Sequence, residues 1–122
     1  MAKINFDVPL TKRKQNAMIQ ANILDDKKMH EIGFTDYSKD SWYYCRGLGS
    51  DISFNVSINK KTSEIKIDVL DECFLQPFDY QAQIQDGRND DFINNINKQV
   101  QEQMKYLMDA GVITGYRMGD YI

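Results

Sequence analysis

Long apolar runs are missing from this 122-residue sequence. None approaches the roughly 20 residues that a membrane-spanning helix needs, so no spanning segment is expected. Cysteine is scarce. Cys45 and Cys73 lie far apart, with no Cys-x-x-Cys pair, and the first ten residues mix Lys3, Asn5 and Asp7 with apolar side chains instead of forming an export signal. Reduced thiols in the cytoplasm of a bacterial host follow as the expectation, with both cysteines acting as small buried hydrophobes. Histidine occurs once, as His30. A histidine-rich metal site is therefore excluded, and His30, Cys45 and Cys73 lack the close spacing of a zinc site. No cofactor is called for. Proline occurs only at Pro9 and Pro77, and no low-complexity tract or internal repeat is present.

What remains is an ordinary globular composition, 42% hydrophobic and 27% charged, in a length that fits one domain spanning residues 1–122. The clearest pattern is "DISFNVSI", residues 51–58. Ile52, Phe54, Val56 and Ile58 alternate with Asp51, Ser53, Asn55 and Ser57. This is a strand with one greasy and one polar face. "SWYYCRGL" before it is rich in strand-forming aromatics, and "SEIKIDVL" after it alternates again. Short connections at "GLGS" and "NKKT" make the three an antiparallel meander.

Helices are expected on either side. Thr11 can cap a helix over "KRKQNAMIQANIL", and Asp25 or Asp26 can cap a short one that Gly33 stops. In "RNDDFINNINKQVQEQMKYLMDAG", Ile93, Ile96, Val100, Met104 and Leu107 recur at helical spacing, with Asn89 or Asp90 as cap and Gly111 as stop. "KINFDVPL" reads as a short edge strand ended by Pro9, and the tail as a final short strand. "TDYSKDS" reads as a polar loop, and the segment around Pro77 as a loop anchored by Phe74, Leu75, Phe78 and Tyr80. The expected fold is α+β: a three-stranded antiparallel meander covered on one face by an N-terminal helical segment and a long C-terminal helix. Double-stranded RNA-binding domains share that order, but they place lysines where this chain has Asn89, Asp90 and Asp91. Those carboxylates would repel phosphates, and the net charge of −3 offers no basic groove, so nucleic acid is not an expected partner.

No stretch forms a catalytic signature. Asp68, Asp71 and Glu72 are the nearest carboxylate cluster, and a solvated strand end is the plainer account of them. The Gly-x-Gly of "GLGS" links two strands and does not open a helix, so turn chemistry explains it. Alternation sends Tyr43 to the opposite face from Trp42 and Tyr44, which leaves one side of "WYY" as a candidate recognition patch.

The charge layout is more informative. Residues 1–28 hold six basic and three acidic side chains, whereas residues 68–91 hold seven acidic ones against Arg88. Asp68, Asp71, Glu72, Asp79, Asp86, Asp90 and Asp91 are thus the candidate partner-binding residues, suited to a basic partner protein. A small ligand such as a nucleotide signal is the alternative. It would want Arg46, Arg88 or Arg117 close to aromatic rings. Edge strands guarded only by Lys60, Lys61 and Pro9 also leave room for homo-oligomers.

The run "EIGF…SWYYCRGLGSDISFNVSINKKTSEIKIDVLDECFLQPFDYQ", residues 31–81, resembles small accessory proteins of phages and mobile elements of Gram-positive bacteria. The shared features are a helix ending in Gly-Phe, a Trp-Tyr strand, an alternating strand, and "IDVLDE" with "QPFDYQ". The resemblance implies no activity. It implies provenance, and with it a non-enzymatic protein that binds a host protein, for instance as an anti-defence inhibitor.

Overall fold

Residues 19–118 are described by the computed structural model. The strand expected over residues 3–10 and most of the helix expected after Thr11 lie outside them. Within them the chain forms β1 (Gln20–Ala21), α1 (Asp26–Ile32), β2 (Thr35–Ser38), β3 (Ser41–Gly49), β4 (Ile52–Asn59), β5 (Ile65–Asp71), β6 (Gln76–Pro77), α2 (Tyr80–Gln85), α3 (Asp91–Asp109) and β7 (Ile113–Thr114). The class is α+β. The meander is there as β3-β4-β5, but it is the centre of a five-stranded antiparallel sheet ordered β2-β3-β4-β5-β6.

The two extra strands replace expected loops. "TDYS" contains little that is apolar, yet it pairs along β3 with Thr35 opposite Tyr43. Such a short polar strand suits a sheet edge. Pro77 stands opposite Leu70 in β6, and proline tolerates an edge because its missing N–H is not needed there. Beyond it, Asp79 accepts from the Ala82 N–H at 3.0 Å and caps α2, where the sequence suggested only irregular chain. Gln20 and Ala21, expected to be helical, instead pair with Thr114 and Ile113 of β7. Asn22 fixes that arrangement, its N–H and side-chain amide donating to the Val112 and Gly111 carbonyls.

One sheet face carries the core. Trp42 and Tyr44 from β3, Phe54, Val56 and Ile58 from β4, and Val69 from β5 are all buried, and α3 lays Ile93, Ile96, Val100, Met104 and Leu107 across them. Burying each such side chain contributes about 1.5–3 kcal/mol. Asp90 caps α3 by accepting from the Ile93 N–H at 2.8 Å. Three polar contacts then set how α3 lies on the sheet. Tyr44 Oη donates to Gln103 Oε1, Gln99 Nε2 donates to the Leu48 carbonyl, and Tyr106 Oη donates to the Ile32 carbonyl. The Gln99 contact answers a local need. The β3–β4 register shifts between Gly47 and Gly49, so Leu48 bulges out of the ladder, and the helix supplies the partner its carbonyl would otherwise lack.

Gly33 ends α1 with φ of +123°. A Cβ there would lie 2.6 Å from Arg46 Nη2. Only glycine leaves the space in which the Arg46 guanidinium lies over the Tyr44 ring, 4.5 Å from its centre.

Candidate functional site

Two tight turns lie side by side at one end of the sheet. In the first, β3 and β4 are joined by Ser50 and Asp51, with φ of 52° and 63°. Positive φ at both central residues is the twist-matched two-residue hairpin turn. Beside it, β5 and β6 are joined by Glu72–Leu75. The Asp71 Oδ1 accepts from the Cys73 and Phe74 N–H groups at 2.9 and 3.2 Å, folding the chain locally. The two turns are latched together, because the Glu72 N–H donates to the Asp51 carbonyl at 2.7 Å.

The β5–β6 turn presents its apolar residues to solvent. Phe74 is 72% exposed and Leu75 is 82% exposed. Leu75 also takes φ of +54°, a conformation costly for a bulky side chain without an offsetting reason. Together they form a small exposed apolar patch at the tip of the turn. Around them stand Asp51, Asp71 and Glu72.

The seven carboxylates expected to bind a partner do not act as one group. Asp71, Asp79 and Asp90 each have an oxygen engaged by local backbone N–H groups. Glu72 accepts from Ser53 Oγ at 2.5 Å, and Ser53 accepts in turn from Asn55 Nδ2 at 2.8 Å. Asp86 follows α2, and Asp91 lies in the first turn of α3, both exposed. Asp68 and Asp71 point to opposite sheet faces by strand alternation, so the Asp68, Asp71 and Glu72 cluster does not converge as acid–base chemistry would require. Arg88 donates to Asp90 at 2.7 Å and also to the Gln83 side chain. That bond, joined by the Ile93 N–H, holds the Asp90 carboxyl below its ordinary pKa.

The arginines expected for a small ligand are dispersed. Arg46 lies over Tyr44, whose hydroxyl meets Gln103, whereas Arg88 lies 5.3 Å from the centre of the Phe92 ring. Phe92 and Gln103 are separated by roughly 16 Å along the axis of α3. Arg117 lies beyond β7.

The polar sheet face forms a shallow depression of about 250 Å³ lined by Tyr43, Cys45, Asn55, Lys66, Asp68 and Leu70. Tyr43 is 43% exposed, as alternation against buried Trp42 and Tyr44 requires. Cys45 and Cys73, expected to be buried, are both exposed free thiols. Cys45 shares the outward face with Tyr43, and Cys73 sits in the β5–β6 turn. The alternation that sends Tyr43 outward does the same for Cys45, so its exposure could have been read from the sequence, whereas the turn position of Cys73 carries no such period. His30 packs its ring edge-on against Trp42 at 5.2 Å and lies 3.7 Å from Asp36. Among the described residues, no three histidine, cysteine, aspartate or glutamate side chains gather as metal ligands. No described helix is long and apolar enough to cross a membrane.

No protein-family profile and no curated protein sequence matches this chain. A solved structure does. The fold is similar to that of a DUF1831 family protein from Lactobacillus plantarum, with a TM-score of 0.61 over 78% of this chain and 82% of that one. At 9% identity the likeness is one of fold alone.

Proposed function

We propose that this chain is a non-enzymatic binding protein that docks on a basic partner protein through the end of its sheet where the two hairpin turns meet. Phe74 and Leu75 are the apolar anchors, and Asp51, Asp71 and Glu72 form the charged rim. The observation that carries this reading is the pair of exposed apolar side chains on a turn that holds Leu75 at positive φ. Anchor residues in a desolvated pocket supply most of an interface's energy, while rim charges chiefly set approach and specificity. The resemblance of residues 31–81 to mobile-element proteins adds that the partner belongs to a bacterial host.

Asp79 and Asp90 leave the site in this reading, because they cap α2 and α3 instead of belonging to the two turns, whereas Asp71 caps the β5–β6 turn itself. Asp68 stays adjacent to it on the polar face. A nucleotide-sized ligand is less well supported, since Arg46 and Arg88 stand far apart and each already faces an aromatic ring.

Affinity capture from bacterial lysate tests the proposal, using tagged chain and its Phe74→Ser/Leu75→Ser double variant. The expected result is one dominant protein held by the original chain, released by raised salt, and absent from the variant at unchanged melting temperature. Equal capture by both forms would sink the assignment of the anchors.

A further inference from the structure

Ser53, the second residue of β4, is only 4% exposed, although alternation puts it on the polar side of the sheet. Its cross-strand neighbours are Gly47 in β3 and Leu70 in β5. A hydroxyl shut away from water costs free energy unless it is hydrogen-bonded. Here it is used as both donor and acceptor. Asn55 Nδ2 donates to Ser53 Oγ at 2.8 Å, and Ser53 Oγ donates to Glu72 Oε1 at 2.5 Å. The Asn55 contact occupies an acceptor site of the hydroxyl and so turns its proton toward the carboxylate. A hydroxyl–carboxylate bond of this length is of the charge-assisted kind, roughly twice as strong as a neutral one, and the amide behind it polarises it further.

Glu72 opens the β5–β6 turn. Its N–H donates to the Asp51 carbonyl at 2.7 Å, while its side chain reaches Ser53. One residue is thus fastened twice, by its main chain to the neighbouring turn and by its side chain to β4. The next two N–H groups, of Cys73 and Phe74, donate to Asp71 Oδ1. The Phe74 and Leu75 side chains are 72% and 82% exposed, so packing does little to hold them. Order in this stretch has to come from the polar contacts beneath it.

We infer that Ser53 is a positioning residue for the docking turn. Through Glu72 it fixes the main chain that presents Phe74 and Leu75 before any partner arrives. This rests on the reading of that turn as the docking site. A turn already held in its bound shape loses less conformational freedom on binding, and the gain shows chiefly as slower dissociation. Asn55 acts one step further back, by orienting the Ser53 hydroxyl. Glu72 carries two separable roles. Its charge belongs to the rim, and its Oε1 belongs to the fastening of the turn.

Backbone order parameters from amide nitrogen relaxation, measured on the full chain with no partner added, test this. In the original chain the Cys73, Phe74 and Leu75 N–H groups should have values near the roughly 0.85 of rigid backbone. In Ser53→Ala they should fall toward about 0.6, while Ile96 and Val100 in α3 stay near about 0.85. Glu72→Gln keeps an acceptor for the hydroxyl and should hold the turn's values, whereas Glu72→Ala should lower them as Ser53→Ala does. Low values in the original chain overturn the proposal. So does a turn that stays rigid in Ser53→Ala, or one as loose in Glu72→Gln as in Glu72→Ala. Should Ser53→Ala fail to fold, the two substitutions at exposed Glu72 decide alone. The lysate capture described above judges the docking reading separately. A turn that loosens as expected in a chain that captures nothing refutes that reading and leaves the positioning role of Ser53 standing.

Discussion

The hydroxyl of Tyr44, near the middle of β3, donates to Gln103 Oε1 of α3 at 2.5 Å. Burial pushes the Tyr44 phenol above its ordinary pKa of 10.0; the nearby Arg46 charge acts against that rise and Tyr106 adds to it. A raised folded-state pKa means that the neutral phenol's contribution is fully present below the unfolded value and is lost as pH climbs through the folded one. Tyr44→Phe should lower stability at pH 7 by about 1 kcal/mol, the usual net worth of such a bond. It should also flatten the decline above pH 10, measured by urea denaturation at several pH values. A variant as steep as the original in alkali would show that another group governs that limb.

Asp90 behaves in the opposite sense. Its carboxyl is held low, first by Arg88 and then by the Ile93 N–H, so its contribution is present above the unfolded pKa and disappears as acid protonates it. Asp90→Ala should therefore lower the melting temperature at neutral pH and narrow its gap from the original chain below pH 4. Asp90→Asn keeps an acceptor for the Ile93 N–H and should recover part of the neutral-pH loss. A gap that persists unchanged in acid contradicts this assignment.

Gln81 is fully buried in α2, and among the described residues neither its amide oxygen nor its nitrogen has a hydrogen-bond partner. A buried amide without partners costs about 1–3 kcal/mol. Gln81→Met fills similar space without that cost and should raise the denaturation midpoint. A lower midpoint would mean that the amide is satisfied in solution by a group other than the described side chains.

Leu75 stands in the left-handed region at φ of +54°. That conformation costs a non-glycine residue roughly 1–2 kcal/mol, partly offset on substitution by the extra unfolded-state freedom of glycine. Leu75→Gly should stabilise the chain by about 0.5–1 kcal/mol while weakening partner capture. Loss of stability in this variant would show that Leu75 is held by packing and not strained.

Much of the architecture was legible in the residues. Strict alternation in β4 and the stripe from Ile93 to Leu107 in α3 carry strong periods that map onto buried positions, while in β5 the alternating set is buried at Val69 and half-buried at Ile65 and Ile67. What escaped detection was short. β2 has too little apolar content to show a period, and β6 hides behind a proline. α2 is only six residues long, so its cap at Asp79 says more than its pattern. The acidic segment was visible as charge. Its division into capping and rim carboxylates was not, because that depends on which backbone N–H groups face each side chain. Phe74 and Leu75 read in the sequence as apolar anchors of a loop, since hydrophobicity alone cannot distinguish a displayed residue from a packed one.

The backbone at Gly33 constrains sequence more firmly than its neighbour Arg46 does. A methyl at position 33 would meet both the Arg46 guanidinium and the edge of the Tyr44 ring, and the φ of +123° strains any side chain there whatever position 46 carries. Gly33→Ala should therefore cost stability in the original chain and in an Arg46→Ala background alike. Among homologous chains of this fold, glycine is expected at the first position even where the second is shortened.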